Sequence, residues 1–280
     1  MPNSSPLVSV IMGVYDEPID LIRRSITSIK DQTYKNIELL ICLDNPNHRD
    51  AEDFLEHLSS TDKTIKLIKN KENIGLGFSL NKCIDSASGF YIARMDADDI
   101  SHPQRIAKQV SELMLNDQQS LCFTEVKMVN LEGVEVPRKF PKNPTFKNNF
   151  FPDDAFVHAT LLTSKELYQK YKYNISHSPE DYEMYFRMIA GKCKFFLINE
   201  PLYQYNFNSK QEWRSLAERC ARTRKTALIM TGLLMRNYIA LRECKGINKS
   251  FLKYIVMLTL SSSETLYKAS SKLYSLFRKK

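Results

Sequence analysis

Asp96, Asp98 and Asp99 follow directly on the apolar run Tyr91-Ile92-Ala93-Arg94-Met95. Three carboxylates delivered by one buried strand repel one another unless a cation sits among them. A hard divalent ion, Mg²⁺ or Mn²⁺, is the natural partner, because it takes one or two protein carboxylates and completes its shell with diphosphate oxygens and water. Its chemistry there would be Lewis-acid stabilisation of a leaving diphosphate. The competing structural reading is that D-x-D-D ahead of Ser101-His102-Pro103 caps the helix that follows, since Asp favours helix starts. Arg94 sits inside the apolar strand just before the acids, where an arginine is rarely buried unpaired; it is expected to brace them.

A second constellation, Ser178-Pro179-Glu180-Asp181-Tyr182-Glu183, opens a helix whose apolar face is Tyr182, Tyr185, Phe186 and Ile189. Carboxylates in a first turn suit the helix dipole, so a structural cap competes with acid–base work. The two constellations are about 80 residues apart in sequence, so they cooperate only if the fold brings them together.

The elements that must position them are legible as alternating patterns. Leu7 to Val14, Ile37 to Leu43, Thr64 to Ile68 and Phe90 to Met95 read as strands; the first is a β-branched apolar run of the kind a strand buried on both faces requires. Between them, Ile19, Ile22, Ile26 and Ile29 recur at helical spacing with Pro18 in the first turn, and Ala51 to Leu58 and Phe78 to Ala87 read as helices. Alternating β and α units predict a mostly parallel, doubly wound, Rossmann-like α/β sheet with right-handed crossovers. Ligands of such sheets bind beyond the carboxyl ends of the strands. Those ends carry Tyr15-Asp16-Glu17, Asp44-Asn45-Pro46, Asn70 to Gly75, and the acids from Asp96.

Further on, the pattern predicts a helix over Pro103 to Leu115, a strand over Leu121 to Val129, a turn at Gly133 and a short strand to Phe140. A strand over Phe156 to Thr163, helices over Ser164 to Lys170 and Glu180 to Ala190, and two strands, Lys194 to Ile198 and Leu202 to Tyr205, complete it. Residues 209–280 read as mainly helical.

Composition narrows the class. With 280 residues, 43% of them hydrophobic, the chain can bury a large core, which excludes a disordered tail protein. Six scattered cysteines without a C-x-x-C pair point to reduced thiols rather than a disulfide scaffold or a zinc site. No secretory signal and no membrane-spanning run is expected, so the reading is cytoplasmic. The charge is uneven, +12 on residues 209–280 and −4 on the rest. Such a segment suits anionic lipid headgroups or another anionic partner; no nucleic acid is expected, because fingers, ribonucleoprotein motifs and helix-turn-helix patterns are missing. A solvated basic helix face is the plain alternative.

Taken together, Val8 to Tyr15, Ile29-Lys30-Asp31-Gln32-Thr33-Tyr34, Glu38 to Asp44, Asn73-Ile74-Gly75-Leu76-Gly77 to Asn81, and Ala93 to Asp99 with Pro103 and Arg105 resemble a family 2 glycosyltransferase of the GT-A fold. The resemblance is to bacterial surface-polysaccharide enzymes, of the amylovoran biosynthesis type, and covers roughly residues 7–208. It implies a metal-dependent, inverting hexosyltransferase or N-acetylhexosaminyltransferase, using a nucleotide-sugar donor, UDP-linked, and a glycan or lipid-linked acceptor. By position, it implies nucleotide contacts from Tyr15, Glu17, Asp44, Asn73, Arg94 and Asp96. It places the Mg²⁺ or Mn²⁺ among Asp96, Asp98 and Asp99. Asp181 becomes the base that deprotonates the acceptor, with Glu180 orienting it or holding the acceptor. His158 stands where relatives have His-Pro-Thr, as a weak acceptor or phosphate contact; a hydrogen-bonded histidine at a strand start is the alternative.

The implied organisation is a catalytic domain over 1–208, with a nucleotide half (1–100) and an acceptor half (101–208), followed by a basic extension over 209–280. That extension would hold the enzyme at the inner face of the membrane, with Leu252, Ile255, Val256, Leu266, Leu273 and Phe277 as apolar contacts or as packing on the domain. One departure stands out: relatives carry Arg-x-His where this chain reads Gln204-Tyr205-Asn206-Phe207-Asn208. That substitution keeps a second class open, a nucleotide-binding scaffold without turnover. Magnesium-dependent phosphoryl transfer ranks last, because no P-loop is present.

Overall fold

The computed structural model describes residues 5–115, 120–130, 132–137, 156–174 and 180–207. The basic segment 209–280 and Asn208 lie outside them, as do Ser178 and Pro179. Four strands, Val8–Val14 (β1), Ile37–Leu43 (β2), Ile65–Lys69 (β3) and Tyr91–Asp96 (β4), lie parallel in the order β3-β2-β1-β4. Helices Ile19–Lys30 (α1), Arg49–Thr61 (α2) and Leu76–Ser86 (α3) connect them.

Side chains alternate across β1, so the sheet has a core on each face. Val8, Val10, Met12 and Val14 pack with Ile22, Ile26 and Ile29 of α1. Ile11 packs with Leu80, Cys83 and Ile84 of α3 on the other face. These residues are at most 3% exposed, each burial contributing about 1.5–3 kcal/mol before entropy is counted.

Past β4 the chain forms a two-residue strand, Ile100–Ser101 (β5), helix Arg105–Leu115 (α4), Ser120–Asn130 (β6), Glu135–Val136 (β7) and Leu162–Ser164 (β8). Helices Lys165–Lys170 (α5) and Glu180–Ala190 (α6) then lead to Lys194–Phe207 (β9). The sheet continues β4-β8-β6-β9-β5, with β7 on the side of β6.

The expected strand over 156–163 is instead a 3-10 turn, His158–Thr160, leading into β8; a short apolar run satisfies either pattern. The two strands expected between 194 and 205 are one, β9. Its register against β6 slips where Pro201 faces Glu125. Proline has no N–H to donate, and a bulge is where a sheet tolerates that.

Strand directions fix the site. Both β4 and β6 run antiparallel to β8, and β9 runs parallel to β6, so β4 and β9 point the same way. Helix α6 immediately precedes β9 and packs on this sheet through Tyr185, whose ring meets Phe123 and Phe195 at 5.8 and 5.9 Å. To return the chain to the start of β9 it must run opposite to the strands. Its first turn, Glu180 and Asp181, therefore stands at the edge where β1 to β4 end.

The described cysteines, Cys42, Cys83, Cys122 and Cys193, are free thiols. Among the described residues no helix is long and apolar enough to cross a membrane.

Candidate active site

Strand β4 ends in the acidic loop, and no two of its carboxylates are treated alike. Asp96 pairs with the guanidinium of Arg94, which is 1% exposed. Its backbone is pinned as well: Ser25 Oγ donates to the Asp96 carbonyl at 2.8 Å, and the Asp96 N–H donates to the Tyr203 hydroxyl at 3.1 Å. Asp98 is partly exposed and makes no ion pair among the described residues. Burial first, then the negative charges of Asp96 and Glu17, push its carboxyl up to about 7. Asp99 is 1% exposed; its Oδ1 accepts the Asn206 N–H at 2.7 Å, while Oδ2 is buried without a hydrogen-bond partner. Desolvation and its two acidic neighbours raise its pKa well above the ordinary carboxylate range.

Two sequence expectations are corrected here. Arg94 does not face a nucleotide: it is buried, and it braces Asp96, as its place in an apolar strand required. Asp99 does not open towards a cation with Asp96 and Asp98; its carboxylate turns inward and anchors β9. Among the described residues no group of three or more histidine, cysteine or carboxylate side chains is assembled around a common metal position. Two carboxylates at an open strand end nevertheless fit Mg²⁺ or Mn²⁺, which bind through one or two carboxylates plus substrate oxygens. The like-charge crowding that raises Asp98 is the field a cation would relieve.

The loop is held from below by polar groups on the buried face of α1 and just past its end. Ser28 Oγ accepts the Ser101 N–H at 3.0 Å. Gln32 donates to Ser101 Oγ and the His102 carbonyl at 3.1 and 2.9 Å, and accepts the Ile106 N–H at 3.1 Å. Arg105, fully buried, donates from Nη1 to the carbonyls of Arg94 and Ala159, each at 3.1 Å, and lies 5.1 Å over the Tyr203 ring. Sequence reasoning did not single out Ser25 and Ser28, although the signal was there. They fall among Ile22, Ile26 and Ile29, on the face of an amphipathic helix that should have been apolar.

At the end of β1, Tyr15 is 47% exposed and its N–H donates to Glu17 Oε2 at 2.7 Å. Glu17 is raised, chiefly by burial, with Asp96 adding to it. At the end of β2, Asp44 is 4% exposed. Its Oδ1 accepts Asn70 Nδ2 at 2.8 Å and the Ile74 N–H at 2.9 Å; its Oδ2 accepts the Gly75 N–H at 2.8 Å. Asn73 turns its own Oδ1 onto the same Gly75 N–H at 2.9 Å. Gly75, at φ 86°, makes this turn into α3, a backbone conformation that side chains disfavour.

His158 packs beside the same strand end. Its Nε2 lies 2.7 Å from the Tyr173 hydroxyl, and its ring centroid is 6.1 Å from that of Tyr185. Desolvation and the Arg94 charge hold its pKa well below the usual histidine value. Tyr185 is four residues after Asp181, the spacing that stacks two side chains on one helix face. Glu183, by contrast, is committed to Arg187 at 2.7 Å. Asn81, on α3, clamps the segment before α6 by exchanging two hydrogen bonds with the Tyr173 backbone at 2.8 and 3.0 Å. The structure thus gathers Glu17, Asp44, Asn73, Asp96, Asp98, His158, Glu180 and Asp181 at one sheet edge, from elements spread over most of the described chain.

Comparison with known proteins agrees with this geometry. The profile of Glycosyl transferase family 2 matches residues 9–192. A glycosyltransferase of Haemophilus influenzae, not otherwise characterised, is 46% identical over 221 residues, covering 74% of this chain and 67% of that protein. The O-antigen biosynthesis glycosyltransferase WbnJ of Escherichia coli is 31% identical over 217 residues, covering 75% and 83%. Among solved structures, Staphylococcus aureus TarS (residues 1–349, in complex with UDP) superposes with a TM-score of 0.62 at 14% identity, covering 91% of this chain and 70% of that one. At that identity the likeness shows a shared GT-A fold.

Proposed function

Because the chain belongs to glycosyl transferase family 2, and is on that ground a glycosyltransferase, we propose that it moves a monosaccharide from a UDP-linked donor to a glycan or lipid-linked acceptor in bacterial surface polysaccharide or lipooligosaccharide assembly. The UDP held by the TarS structure and the O-antigen role of the Escherichia coli relative support donor and pathway class. The observation that carries the reading is topological: β4 and β9 point the same way, and α6, which leads into the start of β9, would then set its first turn at the edge where the acidic loop lies.

In this reading Asp181 accepts the proton of the acceptor hydroxyl as its oxygen attacks the anomeric carbon. The bond from that carbon to the diphosphate oxygen breaks on the opposite face, the nucleoside diphosphate leaves with the bonding pair, and the anomeric configuration inverts. The transition state is oxocarbenium-like, as in glycoside hydrolysis. Glu180, 6% exposed, is the group that would set the orientation of Asp181. Exposed Tyr15 offers a ring at the mouth for the base or ribose, while Asp44 and Asn73 shape the turn beside it. Asp96 and Asp98 would hold Mg²⁺ or Mn²⁺, whose contribution when bound is Lewis-acid stabilisation of charge on the diphosphate. Arg94, paired with Asp96, holds it in place for that task.

The test is UDP release and sugar transfer, measured over a panel of UDP-sugars with lipid-linked acceptors. Transfer should vanish in EDTA and return with Mn²⁺. Activity that persists through both EDTA and Asp98→Asn removes the metal role. UDP binding without transfer across the whole panel favours the scaffold reading.

A further inference from the structure

Asp96 is bonded from distant elements by Ser25 and Tyr203 and is already secured by Arg94. Asp98 and Asp99 are reached by Asn206, near the end of β9. Its backbone N–H donates to Asp99 Oδ1 at 2.7 Å, and its side-chain Nδ2 donates to the Asp98 carbonyl. Gln204, two residues back on the same strand, donates from Nε2 to Asn206 Oδ1 at 2.9 Å. Because the Asp98 carbonyl can only accept, it fixes Nδ2 as the end of the Asn206 amide that faces it, leaving Oδ1 for Gln204. Asp98 itself has no counter-charge paired with it among the described residues, so the bond from Asn206 to its carbonyl is the side-chain contact that fixes this peptide.

We propose that Asn206 is a positioning residue, whose side-chain amide holds the Asp98 peptide so that the Asp98 carboxylate stays aimed, beside Asp96, at the divalent ion of the proposed reaction. This rests on the metal-assisted reading above. The peptide planes on either side of Cα set the direction of the Cα–Cβ bond and restrict the rotamers open to the side chain, so a bond to the Asp98 carbonyl limits where the carboxylate points without touching it. The Asn206 N–H to Asp99 belongs to the main chain and survives side-chain substitution. Asn206→Ala therefore removes the tether on Asp98 while leaving β9 anchored.

The experiment measures Mn²⁺ uptake by the full-length protein in the presence of UDP, from the loss of the free-ion EPR signal. Calorimetry of UDP binding in EDTA runs beside it. Asn206→Ala should weaken Mn²⁺ binding by about tenfold, as loss of an outer partner of a metal ligand does, with metal-free UDP affinity unchanged. In turnover, the Mn²⁺ concentration for half-maximal rate should rise by the same factor, and saturating metal should restore most of kcat. Gln204→Ala, which frees the Asn206 amide to rotate, should shift Mn²⁺ binding the same way and carries the test if Asn206→Ala does not fold. If wild-type protein takes up Mn²⁺ and both variants match it, the inference is overturned alone. If wild-type protein takes up none, the metal reading falls and this inference with it.

Discussion

Two strands that flank β1 are each followed by aspartate and use it for opposite purposes. Asp44, after β2, receives three hydrogen bonds, from Asn70 and from the amides of Ile74 and Gly75, so its charge is compensated by donors built into one turn. Asp98, after β4, is surrounded by Asp96, Asp99 and Glu17, and its carboxyl is raised to about 7. Residue type and strand position are the same; the supply of donors differs. A carboxylate whose donors are all in place holds a loop, whereas one left in a negative field is stable only when something positive arrives, which is how a substrate or metal site differs from a brace.

The largest effect should come from the group proposed to face the uncompensated cluster. Asp181→Asn is expected to lower transfer by about a thousandfold, within the range for loss of a general base, with UDP affinity unchanged by calorimetry. Full activity in that variant breaks the link between the two acidic constellations.

Next in size, Asp98→Asn should reduce transfer by roughly a hundredfold, as removal of one electrostatic stabiliser does. In metal-free protein it should also raise thermal stability above neutral pH. Because the folded-state pKa lies above the unfolded one, wild-type stability is fully present below about pH 4 and is lost as pH rises through about 7. The melting temperatures of wild type and variant should therefore coincide at pH 4 and separate by pH 8.

Asp44→Asn should do the reverse. It sets an amide –NH₂ among three N–H donors, and a loss of about 2 kcal/mol is expected, read by urea denaturation at pH 7. An Asp44→Asn protein as stable as wild type would mean that the brace is not one.

The smallest effect concerns the opposite sign of charge. His158 is held neutral by desolvation and by Arg94. Its folded pKa lies below its unfolded one, so stability present above about pH 6.5 is lost as pH falls. The slope is at most about 1.4 kcal/mol per pH unit, and His158→Gln should flatten it.

Much of the frame was legible because its causes are local. Strand β2 is bounded as its apolar run predicted, at Ile37 and Leu43, and α6 spans Glu180–Ala190 as its spacing required. The misses are also local in origin. The run at 156–163 has no period that separates a 3-10 turn from a strand, and β5 is too short, at two residues, to carry a pattern. The candidate acids could be picked out by type and by their place after strands. Which of them open towards a ligand could not, as the burial of Asp99 shows.

What the chain of residues determines alone is the alternation of apolar runs, hence a doubly wound sheet with acids at its carboxyl edge, because periodicity acts through neighbours within a few positions. Tertiary structure decides which acid is a brace and which is poised for chemistry. The hydrogen-bond partners that make the difference come from far away: Asn70 and Gly75 for Asp44, Ser25 and Tyr203 for Asp96, Asn206 for Asp98 and Asp99. The ionisation and direction of a buried carboxylate depend on the few groups within hydrogen-bond reach, and only the folded sheet brings those groups there.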